Sequence, residues 1–498
     1  MTNSQQKLLF EAIFKIEGDK VEVQQMGLIH LLEEMGYGIC RDEQSPYNNH
    51  LIYKRNNVIE VFNEKNLAYK LVSLMKAHEL DRKLIEKFLR GSMGYLSSNK
   101  LQFLKTIELD ILRDTRDTTY IPFMNKLIKI TRNGYEIIKY KDIEGSILSD
   151  TRIKKTFVKP QTSDGCNFKE FCKMVTGNNE DRFNSLKSIL GYLLHTNKEA
   201  QENKIVLLYD AETGTKTTAN GGTGKTLLIN GAIKQLRNVT IIDGKRYNND
   251  RPNVFLYQNV NLATNTVLFD DVNDKFKLED IFSVSTGDFE VEKKGKQSFI
   301  LDYKYAPKFV VSSNREVKMI KGDSSERRKI ELVLDNVFSA SYSPKDHFNE
   351  IFFSDDWNDE AFNKFFLFMI ECNAYYHQHG LIECINQDIL NSRLRGLIGS
   401  KMYDAIEAIV ENSNGIWNIK KEAVEVYNDQ LDLPISSIAF TKDLKKYCQY
   451  KGYKYEEKNA GSVLRFKITD PNKPISNDIT NDEEDLIEQS LEEGGSNE

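Results

Sequence analysis

Four short apolar runs between residues 204 and 311 follow the pattern of strands that are buried on both faces. They are Lys204–Tyr209 (KIVLLY), Val239–Ile242 (VTII), Thr266–Phe269 (TVLF) and Lys308–Val311 (KFVV). Nearly continuous apolar runs of this length are typical of parallel strands covered by helices. Because helical or loop segments separate the runs, the pattern predicts an α/β domain over residues 201–385, of which the last part is a helical extension.

The first 200 residues alternate between hairpin and helix patterns. They predict an N-terminal α+β region over residues 1–150 and a helical linker over residues 151–200. The Asn-Gly dipeptide marks a tight turn, because both residues tolerate positive φ angles. The predicted elements are a hairpin over Ile52–Phe62 turning at Arg55–Asn57, a helix over Asn66–Glu79, a hairpin whose strands Lys126–Ile130 and Tyr135–Tyr140 flank Asn133-Gly134, and two helices between Asn167 and His195.

Helical patterns resume with Trp357–Tyr376 and continue into a separate region over residues 398–470. This region predicts three helices, the last over Thr441–Lys451, and then a hairpin that pairs Tyr453–Glu457 with Ser462–Ile468. Three helices followed by a hairpin is the element order of a winged helix. Residues 441–467 carry eight basic and three acidic side chains, which suits a surface that rests on duplex DNA, as it also suits a solvated charged face.

Length and charge refine this division. At 498 residues, the chain is long enough for about three domains. Its net charge is −6, but Ile475–Glu498 holds nine acidic and no basic residues, so the preceding body carries +3. We expect residues 471–498 to form a disordered acidic tail, with competition against nucleic acid for a basic surface as the alternative.

Composition excludes several classes of protein. No apolar run approaches the roughly 20 residues that cross a bilayer. The first apolar stretch, Leu8–Phe14, is broken by Glu11 and lacks a basic flank, so we do not expect a secretory signal. The six cysteines form no C-x-x-C pair, which disfavours a disulfide framework or a structural metal. We therefore expect a soluble cytoplasmic protein.

A glycine-rich loop after the first apolar run carries the clearest chemical signal. Backbone N–H groups in such a loop converge on phosphate oxygens, and the following helix adds its positive dipole end. Lys225 would neutralise the β- and γ-phosphates, and the Thr226 hydroxyl would hold Mg²⁺. Ala219 stands where the usual pattern has its first glycine, so a plain glycine loop is the alternative. The loop residues are Gly221, Gly222, Thr223, Gly224, Lys225 and Thr226.

The remaining parts of a nucleotide-hydrolysing site follow in order. Asp270 and Asp271 end the TVLF run, where one carboxylate would hold Mg²⁺ and the other would polarise the attacking water. Asn314 ends the KFVV run, where an amide can both donate and accept hydrogen bonds. Arg327 and Arg328 would stabilise transition-state charge from a neighbouring subunit. Each residue alone has an ordinary structural explanation, but together they predict an NTPase.

A lysine-rich turn lies between the aspartate pair and Asn314. Alternating apolar and polar positions in FEVE and SFILDY predict a hairpin, and Lys293, Lys294 and Lys296 lie at its tip. Such tips, repeated around a ring, would contact phosphates in a central channel. A solvated turn is the alternative.

The order GGTGKT, VLFDD, TGDFEVEKKGK, FVVSSN and ERRK resembles the superfamily 3 DNA helicases, a branch of the AAA+ P-loop NTPases. Within them the chain resembles the helicase module of primase-helicase replication proteins from bacteriophages and mobile elements. The resemblance covers roughly residues 120–385. It implies a homo-hexameric ring that hydrolyses ATP with Mg²⁺ between subunits and moves 3′ to 5′ along one strand of forked DNA, in a bacterial cytoplasm if the protein is phage-encoded.

The resemblance also assigns roles by position. It implies that Lys225 and Thr226 bind the nucleotide, that Asp270 and Asp271 hold the metal and polarise the water, and that Asn314 is a polar sensor. It further implies that Lys293, Lys294 and Lys296 contact DNA and that Arg327 or Arg328 is the arginine finger. Ala219 and the long loop 211–220 depart from the usual nucleotide loop. No D-x-D carboxylate pair or zinc-type cysteine cluster marks a primase, so priming is expected from a separate chain.

Two alternatives belong to other functional classes. One is a non-enzymatic protein that binds an origin or recruits partners and uses the nucleotide loop only as a switch. The other is a ring ATPase that acts on nucleic acid without separating strands, as in packaging or defence. DNA-stimulated ATP turnover tests the first, and strand displacement on a forked substrate tests the second.

Overall fold

The computed structural model is a mixed α/β structure with several sheets, one of them parallel. The chain divides into two compact units, Met1–Cys384 and Ile385–Glu498. Among the described residues, no helix is both long and apolar enough to cross a membrane. The structure describes residues 3–41, 47–62, 64–199, 203–210, 224–247, 253–261, 263–273, 275–295, 298–314, 317, 327–339, 341–355, 357–384, 391, 394–395, 398–429, 434–460 and 463–475.

The N-terminal region combines helices with small antiparallel sheets. The predicted hairpin around Arg55–Asn57 is confirmed: Asn56 and Asn57 have φ angles of 49° and 59°, as a tight turn of the hairpin type requires. The predicted helix at Asn66 begins two residues earlier. The elements are α1 (Asn3–Glu11), β1 (Phe14–Glu17), β2 (Lys20–Val23), α2 (Gln25–Glu34), β3 (Tyr37–Ile39), β4 (Leu51–Arg55), β5 (Val58–Phe62), α3 (Glu64–Ala77), α4 (Arg82–Tyr95) and α5 (Ser98–Leu101).

A second small sheet and two helices follow. The predicted turn at Gly134 is confirmed, with a φ angle of 113° at that residue, and the two predicted helices between Asn167 and His195 are also confirmed. The short strand β9 joins the sheet of β3, β4 and β5 by pairing parallel to β5. The elements are β6 (Thr119–Pro122), β7 (Leu127–Thr131), β8 (Gly134–Ile138), β9 (Ile147–Leu148), α6 (Asn167–Val175) and α7 (Glu180–Leu194).

The centre of this unit is a five-stranded sheet in which all pairings are parallel. Its strand order is β11-β12-β15-β10-β16, and every residue of β10 and β15 is buried. The four apolar runs are confirmed as strands, and β16 is an additional strand that the pattern did not predict. The strands are β10 (Ile205–Asp210), β11 (Asn238–Asp243), β12 (Thr264–Asp270), β15 (Lys308–Ser313) and β16 (Lys329–Leu334).

Other elements cover or extend this sheet. The apolar segment after the glycine-rich loop is π-helical over Leu227–Ala232 and continues as a 3₁₀ turn over Ile233–Gln235, where the sequence pattern predicted an ordinary helix. The predicted lysine hairpin is confirmed as strands β13 and β14, which pair antiparallel. The remaining elements are α8 (Phe282–Thr286), β13 (Phe289–Val291), β14 (Phe299–Leu301), α9 (Pro344–Phe348) and α10 (Asp359–His379).

A buried ion pair ties the N-terminal region to the parallel sheet. Arg237, which precedes β11, contacts the Asp114 carboxylate at 3.4 Å and donates to the backbone carbonyls of Leu194 and Tyr120 at 2.7 and 3.0 Å. Asp114 also accepts hydrogen bonds from the backbone N–H groups of Tyr120 and Thr196. Removing one partner of such a buried pair strongly destabilises the folded protein, because the other charge stays buried without its counter-charge.

The second unit contains the predicted three helices and hairpin, with one added short strand. The third helix starts at Ser437 rather than Thr441 and ends at Gly452, whose φ angle is 72°. Strands β17, β19 and β18 form an antiparallel sheet in that order. The elements are α11 (Ser400–Ser413), β17 (Asn418–Ile419), α12 (Lys420–Asn428), α13 (Ser437–Lys451), β18 (Lys454–Ala460) and β19 (Val463–Thr469).

Candidate functional site

The topology of the parallel sheet singles out the carboxyl end of β10. From β10 the chain goes to β11 on one side of the sheet, whereas β16 flanks β10 on the other side. In open parallel sheets, ligands bind outside the carboxyl ends of the strands at such a reversal of strand order. The ends of β10, β12 and β15 therefore form the edge at which a ligand is expected.

Lys225 lies at this edge, where its ammonium contacts Asp210 and Asn314. It forms an ion pair with Asp210, the last residue of β10, and donates to the Asn314 side-chain oxygen at 2.7 Å. Lys225 and Asp210 are both buried, at 7% and 3% exposure. Burial lowers the pKa of Lys225, and the carboxylate of Asp210 opposes that shift. An anionic ligand at Lys225 would have to compete with Asp210.

The Thr226 hydroxyl faces the end of β12. It donates to the Asp270 carboxylate, with Oγ1 3.2 Å from Oδ1. The Ser312 hydroxyl of β15 donates to the same Oδ1 at 2.8 Å. Hydroxyl and carboxylate oxygens are the hard ligands that Mg²⁺ prefers, so the donor set of Thr226 and Asp270 fits the metal that the sequence implies.

Asp271 is held in an uncommon backbone conformation beside this pair. Its φ angle is 54°, which is sparsely populated for residues other than glycine. Its backbone N–H donates to Ser312 Oγ at 2.9 Å, and its carboxylate accepts from Asn314 Nδ2 at 3.0 Å. The other carboxylate oxygen lies 2.7 Å from Lys245 Nζ, and this hydrogen bond raises the pKa of Lys245.

The turn at Gly224 brings the loop against helix α6. Gly224 has a φ angle of 102°, and a Cβ atom there would collide with the ring of Phe171. The backbone carbonyl of Gly224 accepts from the Leu228 N–H at 2.9 Å. Glycine is therefore required for both the backbone angle and the close packing. Gly221, Gly222 and Thr223 lie outside the described residues, as does Ala219.

The predicted arginines are not brought to this edge. Arg327 and Arg328 immediately precede β16, and the Arg328 carbonyl accepts from the N–H of Ile205, the first residue of β10. Ile205 and Asp210 are five residues apart in an extended strand, about 17 Å. The arginines thus lie at the amino edge of the sheet, opposite the cluster formed by Lys225 and the carboxylates.

The lysine hairpin also lies toward the amino edge. Phe289 of β13 is fully buried, and its ring centroid lies 6.1 Å from that of Phe309, near the start of β15. At the tip, Lys294 is exposed and Lys293 is half-buried, with Nζ 5.0 Å from the centre of the Phe299 ring. Lys296 lies outside the described residues.

Five of the predicted site residues therefore meet in one cluster, and three further members were not predicted from sequence. The predicted members are Lys225, Thr226, Asp270, Asp271 and Asn314, and the additional ones are Asp210, Ser312 and Lys245. Asp210 could have been found, because it is an acidic residue that directly follows the apolar run KIVLLY, at the start of the long loop that leads to Gly221. Ser312 and Lys245 have no comparable signal.

Comparisons with known proteins give a family match and a weak structural likeness. A model for a family of unknown function (DUF5906) matches residues 217–328, a segment that includes Lys225, both aspartates and Asn314. No curated protein matches the chain.

The structural likeness is to the NrS-1 C-terminal region. Its A-form apo structure has a TM-score of 0.38 at 12% identity, over 89% of this chain and 98% of that chain. A structure of the same region over residues 305–718 has a TM-score of 0.36 at 12% identity, over 90% of this chain and 99% of that one. Values this low support no argument about function.

Proposed function

We propose that the chain is a ring-forming P-loop ATPase of the AAA+ type that acts as a superfamily 3 DNA helicase in replication. The observation that carries this proposal is the cluster at the carboxyl edge of the sheet. There a series of hydrogen bonds, in part through Ser312, links the Lys225 ammonium and the Thr226 hydroxyl to the two carboxylates and the amide at the ends of β12 and β15. This set contains the groups needed to bind and hydrolyse a nucleoside triphosphate.

Each residue has a separate task in this site. When ATP binds, Lys225 leaves its ion pair with Asp210 and pairs with the phosphates of ATP. Thr226 and Asp270 hold Mg²⁺, which neutralises developing phosphate charge when it is bound. Asp271 and Asn314 orient the attacking water, and their mutual hydrogen bond fixes the carboxylate and the amide relative to each other. Because strand ends set the positions of Asp270, Asp271 and Asn314, these three groups need little reorganisation for the reaction.

DNA engages other parts of the chain in this proposal. Lys293, Lys294 and Lys296 contact the phosphates of a single strand in the channel of the ring, and the three helices and hairpin of residues 398–470 act as a winged helix on duplex DNA. Arg327 or Arg328 completes the ATP site of a neighbouring subunit. A separate primase would supply primers.

The decisive experiment is the ATP turnover of the variant Lys225→Ala. We expect it to fall about 100-fold or more, as when one preorganised charge-stabilising donor is removed. The matched control is Lys234→Ala, because Lys234 is an exposed lysine on the 3₁₀ turn that follows the π-helical segment and its loss should leave turnover unchanged.

Three other results would contradict parts of the proposal. Full turnover in Lys225→Ala would refute the site. Absence of DNA-stimulated turnover in the unmodified protein, with ATP binding retained, would favour the nucleotide switch. Turnover without displacement of a strand from forked DNA would favour a packaging or defence motor.

A further inference from the structure

A cleft in the N-terminal region, remote from the ATP site, carries the chemistry of a nucleotide-binding surface. Its volume is about 390 Å³, within the range of about 300–1,000 Å³ that is usual for ligand sites. It lies between two sheets. The turn after β4, the segment after β8 and the segment after β9 line it.

The charge of the cleft lining is strongly positive. It includes the cations Arg55, Lys139, Lys141 and Arg152, against one carboxylate, Glu60. Lys141 lies 4.0 Å from Asp142, but both of these side chains are well exposed, and such a pair contributes little. Within the described ranges of the chain, no carboxylate pairs with Arg55, Lys139 or Arg152.

Arg152 is the fixed member of this group. Its guanidinium donates to Ser149 Oγ at 2.9 Å and lies 5.9 Å from the centre of the Tyr140 ring. The Tyr140 hydroxyl donates to the Phe123 carbonyl, which holds the ring in place. The Nε atom of Arg152 is buried, and no hydrogen-bond partner for it is found among the described residues. The Nη1 atom reaches the Met124 carbonyl at 3.5 Å. Since the two terminal nitrogens of a guanidinium carry four N–H donors, the group has donor capacity left for a ligand.

Aromatic and amide groups complete the lining. The half-buried ring of Tyr53 offers apolar surface beside the cations, and Asn56 offers hydrogen-bonding groups at the rim. Cations that bind phosphate next to aromatic rings that receive bases are the combination used to bind single-stranded nucleic acid.

We propose that this cleft binds a nucleotide unit of a single-stranded polynucleotide, with the phosphodiester on Arg55, Lys139, Lys141 and Arg152 and the base against the Tyr53 ring. The ligand chemistry is a phosphate ester that carries an aromatic base. This inference goes beyond the ATP site and the lysine hairpin, and it does not require that the protein hydrolyse ATP.

The test compares two charge-matched triple variants of the full chain, both made in the background Lys293→Ala/Lys294→Ala so that the hairpin contributes little. The cleft variant is Arg55→Ala/Lys139→Ala/Lys141→Ala. The control is Lys83→Ala/Arg90→Ala/Lys100→Ala, which removes one arginine and two lysines from exposed positions on α4 and α5. All six side chains are exposed, and thermal melting checks that both variants fold.

The probe is a fluorescein-labelled dT20 oligonucleotide, and the readout is fluorescence anisotropy over a range of salt concentrations. We expect the cleft variant to bind about tenfold more weakly than the control at moderate salt. The slope of log affinity against log salt should become shallower by about 2. Each phosphate contact contributes about 0.7 to that slope for single-stranded DNA, and the variant removes three cations. Equal affinity and equal slope in the two variants would overturn the proposal.

A second measurement locates the contact and distinguishes the two sources of the ligand. An oligonucleotide carrying 4-thiothymidine is crosslinked by light, and the modified peptides are mapped. We expect crosslinks at Tyr53 that are lost in Arg152→Gln and that millimolar dTMP fails to displace. Displacement by micromolar dTMP would show a site for free nucleotides and overturn the assignment to a polynucleotide, as would crosslinks elsewhere only.

ATP turnover, measured on the unmodified protein, keeps the two proposals separate. A chain that hydrolyses ATP but shows no cleft-dependent binding loses only this inference. A chain that binds dT20 through the cleft but hydrolyses no ATP loses only the proposed ATPase function.

Discussion

At the scale of single residues, Lys198 is a buried lysine outside the Lys225 cluster. It is 4% exposed, and its ammonium donates to the carbonyls of Ser285 and Pro307 at 3.2 and 3.4 Å and lies 4.4 Å from the centre of the Tyr303 ring. Burial lowers its pKa to about 7, because carbonyl dipoles and one ring replace the hydration of the charge only in part.

This environment predicts a pH-dependent stability. The folded pKa of about 7 lies below the ordinary value of 10.5, so between these pH values the unfolded chain binds a proton that the folded chain does not. The contribution of Lys198 to the free energy of unfolding therefore rises with pH across this window and is constant below it. We expect Lys198→Met to gain most in melting temperature over the unmodified protein near neutral pH and to lose that advantage as the pH approaches about 10.

The control for this prediction is Lys100→Met, which replaces an exposed lysine. Its melting temperature should differ from that of the unmodified protein by the same amount at every pH, since an exposed ammonium has similar hydration in both states. Other groups that titrate in the same pH range affect each variant and the unmodified protein equally, so their contributions cancel in both differences of melting temperature. A difference for Lys198→Met that does not change with pH would show that its ammonium is charged throughout.

The members of the Lys225 cluster differ in how well the sequence predicted that they lie together. Lys225 and Thr226 were predictable because a glycine-rich loop has one well-understood chemistry, and Asp270 and Asn314 because they end apolar runs. Ser312 was not, because its role depends on which strand lies next to β12. Strand order is a tertiary property that local patterns do not contain.

At the scale of elements, strand β15 connects the two ends of the proposed mechanism. At its amino end, Lys308 donates to the carbonyls of Tyr192 and His195 at the end of α7, and Phe309 packs on Phe289 of the lysine hairpin. Directly after its carboxyl end, Asn314 contacts Lys225 and Asp271. We therefore expect a displacement at Asn314 to reach the hairpin through β15.

The hairpin should therefore link ATP turnover to movement of DNA. We expect Lys293→Ala/Lys294→Ala/Lys296→Ala to lower the number of base pairs unwound per ATP hydrolysed and to reduce the slope of log affinity for single-stranded DNA against log salt by about 2. The measurement is strand displacement on a labelled fork alongside phosphate release in the same sample.

The matched control for the hairpin is Lys275→Ala/Lys277→Ala/Lys304→Ala, which removes three exposed lysines from the same unit. It should retain the unwinding yield of the unmodified protein. If the hairpin variant unwinds as many base pairs per ATP as this control does, the hairpin has no part in moving DNA.

Element types were predicted most reliably where one physical signal dominated. The strands β10, β12 and β15 are buried on both faces and read as continuous apolar runs. β16 was missed because its sequence KIELVL includes Lys329 and Glu331, which pair with each other at 2.8 Å in the sheet and break the apolar pattern. The π-helical segment Leu227–Ala232 was missed because helical spacing does not distinguish π from α geometry.

At the scale of the whole molecule, the position of the arginines decides how the proposed ATP site can be completed. Arg327 and Arg328 lie at the amino edge of the sheet, about 17 Å along the strands from the Lys225 cluster. They are too far to act on the site of their own subunit in this conformation. A head-to-tail assembly would place the amino edge of one subunit against the carboxyl edge of the next, which is the arrangement that closes into rings.

This geometry predicts complementation between inactive subunits. We expect Lys225→Ala and Arg327→Ala/Arg328→Ala each to lack ATP turnover alone, but an equal mixture of the two to recover about a quarter of the unmodified rate, because random assembly pairs an intact Lys225 with an intact arginine pair at that fraction of junctions. The measurement is steady-state phosphate release at a fixed total concentration of subunits.

The control for complementation is a chain that carries all three substitutions, mixed with Arg327→Ala/Arg328→Ala. No junction in that mixture has both an intact lysine and an intact arginine pair, so it should remain inactive at the same subunit concentration. If the first mixture is as inactive as this one while both assemble to the same particle size with an ATP analogue, the arginines do not act across a subunit junction. Activity of Arg327→Ala/Arg328→Ala on its own would remove the arginines from the site altogether.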